Sequence, residues 1–189
     1  IKAVQKYFEM YDLELFNVDR LPIHHGQIRC WIGKKGVRKL NNNLKKLLKN
    51  EKKDKIYNDS TLLDFGKKTI KIKEMLNKFF TKVKKNNEKI IGYGAPAKAT
   101  TLISFLGINK DKINFIVDKN PLKKNKFMPG SRIPIYSIDN IKKYKPKYLF
   151  NFAWNFLDEI LVQNKFFLKE GGKIVNPIPK FKIYEYKKK

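Results

Sequence analysis

Three scarcities bound this 189-residue chain before any motif is considered: one cysteine, four arginines, and no long apolar run. A single cysteine excludes an internal disulfide framework and a cysteine-based metal cluster. No metal site is expected within the chain, and a reducing, cytoplasmic setting is the default. Cys30 lies in the stretch QIRCWIG and reads as a small buried residue rather than a nucleophile. Scarce arginine argues against a nucleic-acid partner, because planar guanidinium forks make the bidentate contacts by which bases and phosphates are read. The formal charge of +26 is therefore mostly lysine charge. It is spread through every segment alongside abundant isoleucine and asparagine, and it reads as compositional drift. It leaves a general attraction for anions that weakens with salt. With no apolar run of about eighteen residues, a membrane-spanning helix is not expected. The N-terminus, IKAVQKYFEMYDL, mixes charge and aromatics where a signal peptide needs an apolar region. What is present, 42% hydrophobic residues, suffices for a packed core.

Periodicity divides the chain into four parts. Residues 1–36 read as the end of an amphipathic helix, with Val4, Phe8 and Tyr11 at helical spacing, then two strands, LELFNVDRL and QIRCWIG, joined by the turn PIHHG. Two strands and one helix cannot stand alone, so this part reads as the closing hairpin of a larger sheet. Residues 37–86 read as a helical linker. Val37, Leu40, Leu44, Leu47 and Leu48 mark one helix face. After a polar interruption, Asp59 or Ser60 caps a longer helix through Leu62, Leu63, Ile70, Met75, Leu76, Phe79 and Val83, with Gly66 as a candidate kink. Residues 87–183 switch to short apolar runs alternating with helices, which predicts a Rossmann-like parallel sheet with right-handed crossovers. In this part RIPIY reads as an edge segment, Ser137 and Asn155 as helix caps, and KIVNPI as the last strand. Residues 184–189 are a basic tail.

The stretch with most chemical content is KIIGYGAPAKATTLISFLG. Gly92-Tyr93-Gly94-Ala95-Pro96-Ala97 follows the dinucleotide-binding pattern, with alanine in the third glycine's place. Gly92 permits a tight exit from a strand. Gly94 leaves room for a phosphate, and the first amides of the next helix are expected to point at it. Pro96 withdraws one donor and fixes the helical entry angle. Lys98, Thr100 and Thr101 add charge and hydroxyls. Asp118 ends the second strand, where a carboxylate commonly grips ribose hydroxyls. The same turn also serves many α/β domains simply to pack helix against strand.

The glycine turn does not stand alone. Together with Lys98, Val117-Asp118-Lys119-Asn120-Pro121, Lys126-Phe127-Met128-Pro129-Gly130, Ile133-Pro134-Ile135, Ala153-Trp154-Asn155, Gly171-Gly172-Lys173 and Pro177-Ile178-Pro179, it resembles the C-terminal domain of S-adenosylmethionine-dependent sugar-nucleotide C-methyltransferases. Leu21-Pro22-Ile23-His24-His25-Gly26-Gln27-Ile28-Arg29 is similar to a turn of the same family, with His25 where the family has glycine. The resemblance covers about residues 10 to 180 and is weakest in the linker helices.

The resemblance implies a three-part parent: a zinc domain rich in cysteine, a class I methyltransferase domain binding S-adenosylmethionine, and this Rossmann-like domain. On that view residues 1–36 are the terminal helix and hairpin of the methyltransferase domain. The chain, which begins with Ile1, is then a piece of a longer protein. The methyl-donor, zinc and proton-abstraction sites lie upstream, so this piece alone is expected to be inactive, with no cofactor bound within it. His24 is the candidate catalytic residue, for substrate binding or proton transfer near neutral pH. Arg29 is a candidate phosphate partner. Gly92, Tyr93, Gly94, Ala95, Pro96 and Lys98 are the candidate diphosphate site of a nucleotide-sugar, of dTDP type. Asp118 or Asn120 is expected to meet a sugar hydroxyl, and Trp154 or Tyr93 an apolar face. The expected partners are that substrate and the upstream methyltransferase domain. A reading of another class stays open here: a non-catalytic nucleotide-binding or nucleic-acid-binding module in which lysines form the working surface.

Overall fold

The computed structural model describes residues 1–23 and 26–186, which divide into two compact units, Ile1–Lys67 and Lys68–Lys189. In the first, α1 (Lys2–Glu9) is followed by a hairpin of β1 (Leu13–Leu21) and β2 (Gln27–Lys34), paired antiparallel with a bulge between Leu15 and Asn17. The helix α2 (Asn42–Lys53) starts later than its apolar spacing predicts. Asn41 caps it, its side-chain oxygen accepting from the Asn43 amide at 2.9 Å. Val37 and Leu40 precede the helix and are exposed. A small core of Leu15, Val18, Leu44 and Leu47 holds this unit together, and Cys30 packs against it half-buried rather than fully enclosed.

The helix α3 (Asp59–Lys85) is unbroken through Gly66. A Cβ added at Gly66 would meet nothing within 4 Å, so the glycine here costs helix propensity without a packing need for it. We expect Gly66→Ala to stabilise the chain by about 1 kcal/mol, measured as a shift in the urea midpoint. No change, or a loss, would show that close approach at this position matters.

The second unit is a mostly parallel seven-stranded sheet in the order β5-β6-β4-β3-β7-β8-β9. Its strands are β3 (Ile90–Tyr93), β4 (Ile116–Val117), β5 (Lys126–Phe127), β6 (Pro134–Tyr136), β7 (Tyr148–Asn151), β8 (Lys173–Asn176) and β9 (Lys182–Tyr184). The inner five are parallel, and β5 and β9 run antiparallel at the two edges. The arrangement is compatible with a Rossmann-like fold. RIPIY is thus not an edge: β5, formed just upstream of it, covers it. KIVNPI is not the last strand, because β9 adds beyond it and takes in Tyr184 from the expected tail.

The central strands IIGY and YLFN are buried along their whole length. Helices cover both faces of such a sheet, so its strands are continuously apolar rather than alternating. Alternate residues still divide the core. Ile90, Ile116, Phe150, Phe152 and Val175 pack with Leu76 and Phe80 of α3 and with Ala99, Leu102 and Ile103 of α4 (Ala97–Leu106). Ile91, Tyr93, Val117, Leu149 and Ile174 pack with Ile141 of α5 (Asn140–Tyr144), Ile160 of α6 (Leu157–Gln163) and Phe167 of α7 (Lys165–Lys169). The helix α4 ends at Gly107, which takes the left-handed conformation at φ 57°, and Pro96, expected in its first turn, stands just before it as an extended N-cap. Two expected caps fail. Ser137 spends its hydroxyl on the Asp139 carboxylate, and no side chain caps α5. Asn155 lies inside a 3-10 turn, Trp154–Phe156, ahead of α6. The long helix expected after Asn155 is divided at buried Asn164, whose amide donates to the Ile160 carbonyl at 2.8 Å.

Candidate functional site

Strand β3 comes first in the unit. The chain then builds β4 and β6 on one side of it, and β7 and β8 on the other. The order therefore reverses between β3 and β7, and the carboxyl ends flanking that reversal are where open α/β sheets bind ligands. The glycine turn leaves β3 at this point, and Ala153-Trp154 leaves β7.

The turn is built from packing. A Cβ on Gly92 would lie 2.6 Å from Ile116 Cγ1 and 2.7 Å from Phe152 Cε2, so the core itself requires glycine there. Gly94 holds φ 81°, and a Cβ on it would stand 2.9 Å from the Ala153 Cβ. What fills the space before Gly94 is thus Ala153. The open ring of amides expected at this bend is not found. The Gly94 amide donates to the Val117 carbonyl at 2.7 Å, and the Ala95 amide to Asp118 Oδ2 at 2.7 Å. Asp118 Oδ1 accepts from the Asn120 amide at 2.8 Å, and Lys123 Nζ bridges Asp118 Oδ2 and the Ala95 carbonyl at 3.2 and 2.9 Å. Asn120 in turn caps the 3-10 turn Pro121–Lys123 through the Leu122 amide. Asp118 and Asn120 are therefore braces of the turn, and Asp118 is already engaged through both oxygens, Oδ2 by two donors and Oδ1 by one. S-adenosylmethionine or a dinucleotide held in the usual Rossmann manner does not fit this turn, and no methyl-transfer step is routed through it.

Two features of this edge do remain open to a ligand. On the α4 side, Lys98 Nζ is buried with no hydrogen-bond partner, 4.0 Å from the centre of the Trp154 ring. Burial pushes this ammonium below the ordinary lysine range. The amides of Ala97 and Lys98, in the first turn of α4, have no acceptor among the described residues. On the α6 side lies a crevice of about 310 Å3 between Tyr93, Gly94, Ala153 and α6. Tyr93 is buried, and its hydroxyl donates to Gln163 Oε1 at 3.4 Å. Burial raises the Tyr93 phenol above its ordinary range; Glu159 and Asp118 push the same way, and a hydrogen bond with Asn164 partly opposes them.

One pair of residues escaped the sequence reading. Asn151 and Asn176 are buried at the carboxyl ends of β7 and β8. Asn151 Nδ2 donates to Asn176 Oδ1 at 3.0 Å, Asn151 Oδ1 accepts from the Ala153 amide at 2.9 Å, and Asn176 Nδ2 donates to the Ile178 carbonyl at 2.6 Å. Together they fix the backbone that carries Ala153 and Trp154. The available signal was an asparagine closing each of two apolar strands, LFN and IVN. Nothing in the sequence signals that Glu159 and Gln163 reach this edge.

The structure brings Gly92, Tyr93, Gly94, Ala95, Pro96, Lys98, Asp118, Asn120 and Trp154 to one sheet edge. Arg29 belongs to the first unit, exposed on β2 opposite Asp19. His24 lies outside the described residues. Larger clefts, of about 500 and 580 Å3, open at the amino ends of the strands. That is the edge at which such sheets do not place their ligands.

A mostly parallel α/β sheet whose braced glycine turn sits at the strand-order reversal is compatible with a domain of Rossmann-like type. Its sequence is more specific. Residues 22–179 match the C-methyltransferase C-terminal domain family, and the chain belongs to that family. It is 29% identical over 177 residues, 93% of its length, to the C-methyltransferase NovU of Streptomyces niveus, and it spans 42% of that protein.

Proposed function

We propose that this chain is the C-terminal part of an S-adenosylmethionine-dependent C-methyltransferase acting on a nucleotide-linked keto-deoxysugar, and that its α/β unit holds the nucleotide-sugar. The supporting relation is to the C-methyltransferase family. The observation that carries the binding role is the buried Lys98 ammonium, which has no acceptor of its own. A buried unpaired charge is costly, and a diphosphate oxygen is an anion suited to neutralising it. The free amides of Ala97 and Lys98 supply further donors at the positive end of α4.

The methyl donor, when bound, supplies an electrophilic methyl group for a carbon beside a ketone, and on this reading it sits in the part of the parent that this chain does not match. Zinc belongs to a further upstream domain, and the chain alone transfers no methyl group. The contribution of these residues is positioning: holding the diphosphate fixes where the sugar carbon stands, which is a large part of such a rate enhancement. His24, which follows β1 in sequence, is proposed to bind substrate or assist proton transfer. Arg29 is proposed as a phosphate partner. The setting is proposed to be the cytoplasm.

Calorimetry with dTDP and with inorganic pyrophosphate tests the reading. The wild-type chain is expected to bind both, and Lys98→Met to lose at least about tenfold in affinity for each. Equal affinities in the two proteins would remove Lys98 from the site. Gly94→Val is a poor probe here, since its φ and its contact with Ala153 would disturb the turn with or without a ligand.

A further inference from the structure

The crevice on the α6 side differs in chemistry from the Lys98 side. Phe156, 51% exposed, offers an apolar face. The polar wall is a chain of contacts: the Tyr93 hydroxyl donates to Gln163 Oε1, Gln163 Nε2 donates to Glu159 Oε1, and that same oxygen lies 3.8 Å from Lys119 Nζ. Glu159 Oε2 has no partner among the described residues. Of the neighbouring Asp118, Oδ2 already holds two donors and Oδ1 one. The acceptor of the crevice with the most capacity left therefore sits on α6 and not at the end of β4. Two carboxylates line the space, each facing a lysine, Lys119 and Lys123, and the unpaired Glu159 oxygen suits a group that donates hydrogen bonds. Its volume, about 310 Å3, is at the small end for ligand sites, roughly 300–1,000 Å3. It has room for a sugar ring.

We infer that this crevice is a hydroxyl-reading subsite, with Glu159 as its acceptor and Phe156 as its apolar face, taking one sugar ring of the nucleotide-sugar while the diphosphate stays on the Lys98 side. The inference rests on the function proposed above. It transfers to Glu159 the role that the position of Asp118 suggests.

Calorimetry on the 189-residue chain with three probes tests it: inorganic pyrophosphate, dTDP and dTDP-glucose. Glu159→Gln keeps size and fold and removes the charge. It is expected to bind dTDP-glucose at least about tenfold more weakly, as the loss of a hydrogen bond to a charged group implies, and to bind pyrophosphate as well as wild type or better. A lost negative charge by itself strengthens anion binding, so the expected weakening runs against simple electrostatics. Phe156→Ala is expected to act in the same direction as Glu159→Gln. Weakening confined to dTDP-glucose places the hexose in the crevice, and equal weakening with dTDP places the nucleoside's ring there; either supports the subsite. Unchanged dTDP-glucose affinity in both variants, with Lys98-dependent pyrophosphate binding intact, overturns the subsite and leaves the proposed function standing. No binding of any probe by wild type overturns both.

Discussion

Replacing Asn151 by alanine is expected to destabilise the protein by about 3 kcal/mol, because two buried partners lose their hydrogen bonds at once. The Ala153 amide loses its acceptor and Asn176 Oδ1 loses its donor, in a place where the Asn151 side chain is fully buried. Asn151→Asp separates the two contacts. It keeps an acceptor for Ala153 but turns a buried carboxylate oxygen towards Asn176 Oδ1, so it is expected to do no better than alanine. Turning the Asn176 amide over to repair this would forfeit its bond to the Ile178 carbonyl. Urea denaturation followed by circular dichroism measures both. A loss of under about 1 kcal/mol in Asn151→Ala, within the range of a single ordinary hydrogen bond, would mean that the pair does not hold the edge.

The second large effect has the opposite sign. Lys98→Met is expected to raise the melting temperature at pH 7 while it weakens anion binding, since it removes an ammonium that is buried without a partner. The ring of Trp154 recovers part of that cost through its electron-rich face, while burial holds the ammonium below the ordinary lysine range. The pH dependence follows. Below the lowered folded-state value the amine is protonated in both states, and the folded protein bears the full cost. Between that value and the ordinary 10.5 the unfolded chain binds more protons than the folded one, so wild-type stability rises with pH. The advantage of Lys98→Met should therefore shrink as the pH climbs through this window. Melting curves of both proteins from neutral pH upwards provide the check. A variant less stable than wild type at pH 7 would show that the lysine is a structural residue and would withdraw the argument for an anion there.

Most of the sheet was legible because its strands are short, apolar and separated by helices with clear ends: Pro96 opens α4 and Gly107 closes it. The hairpin β1–β2 could be read nearly to the residue from its alternation and turn. The errors have physical causes. β5 and β9 are two and three residues long, too short for any periodicity, and exist because a neighbouring strand offers them an edge. Helix starts were misplaced where apolar spacing ran past the true cap, as at Val37 and Leu40, or where a polar residue bonded elsewhere, as Ser137 did. At the site, residue types were readable and their engagements were not. Nothing local to Asp118 says that a lysine five positions on will hold it against the Ala95 amide, or that Gly94 is confronted by Ala153, just past a strand nearly sixty residues later. Homology reached further than periodicity because several motifs recur in register.

The salt bridge between Lys123 and Asp118, clasping the main chain at Ala95, has a kinetic meaning as well. On the function proposed, a loop stitched from inside is already in its final shape when a substrate arrives, so little disorder must be surrendered on docking. Encounter is then governed by diffusion and by the pull of a strongly cationic surface, and ionic strength becomes the natural control over how often a collision succeeds.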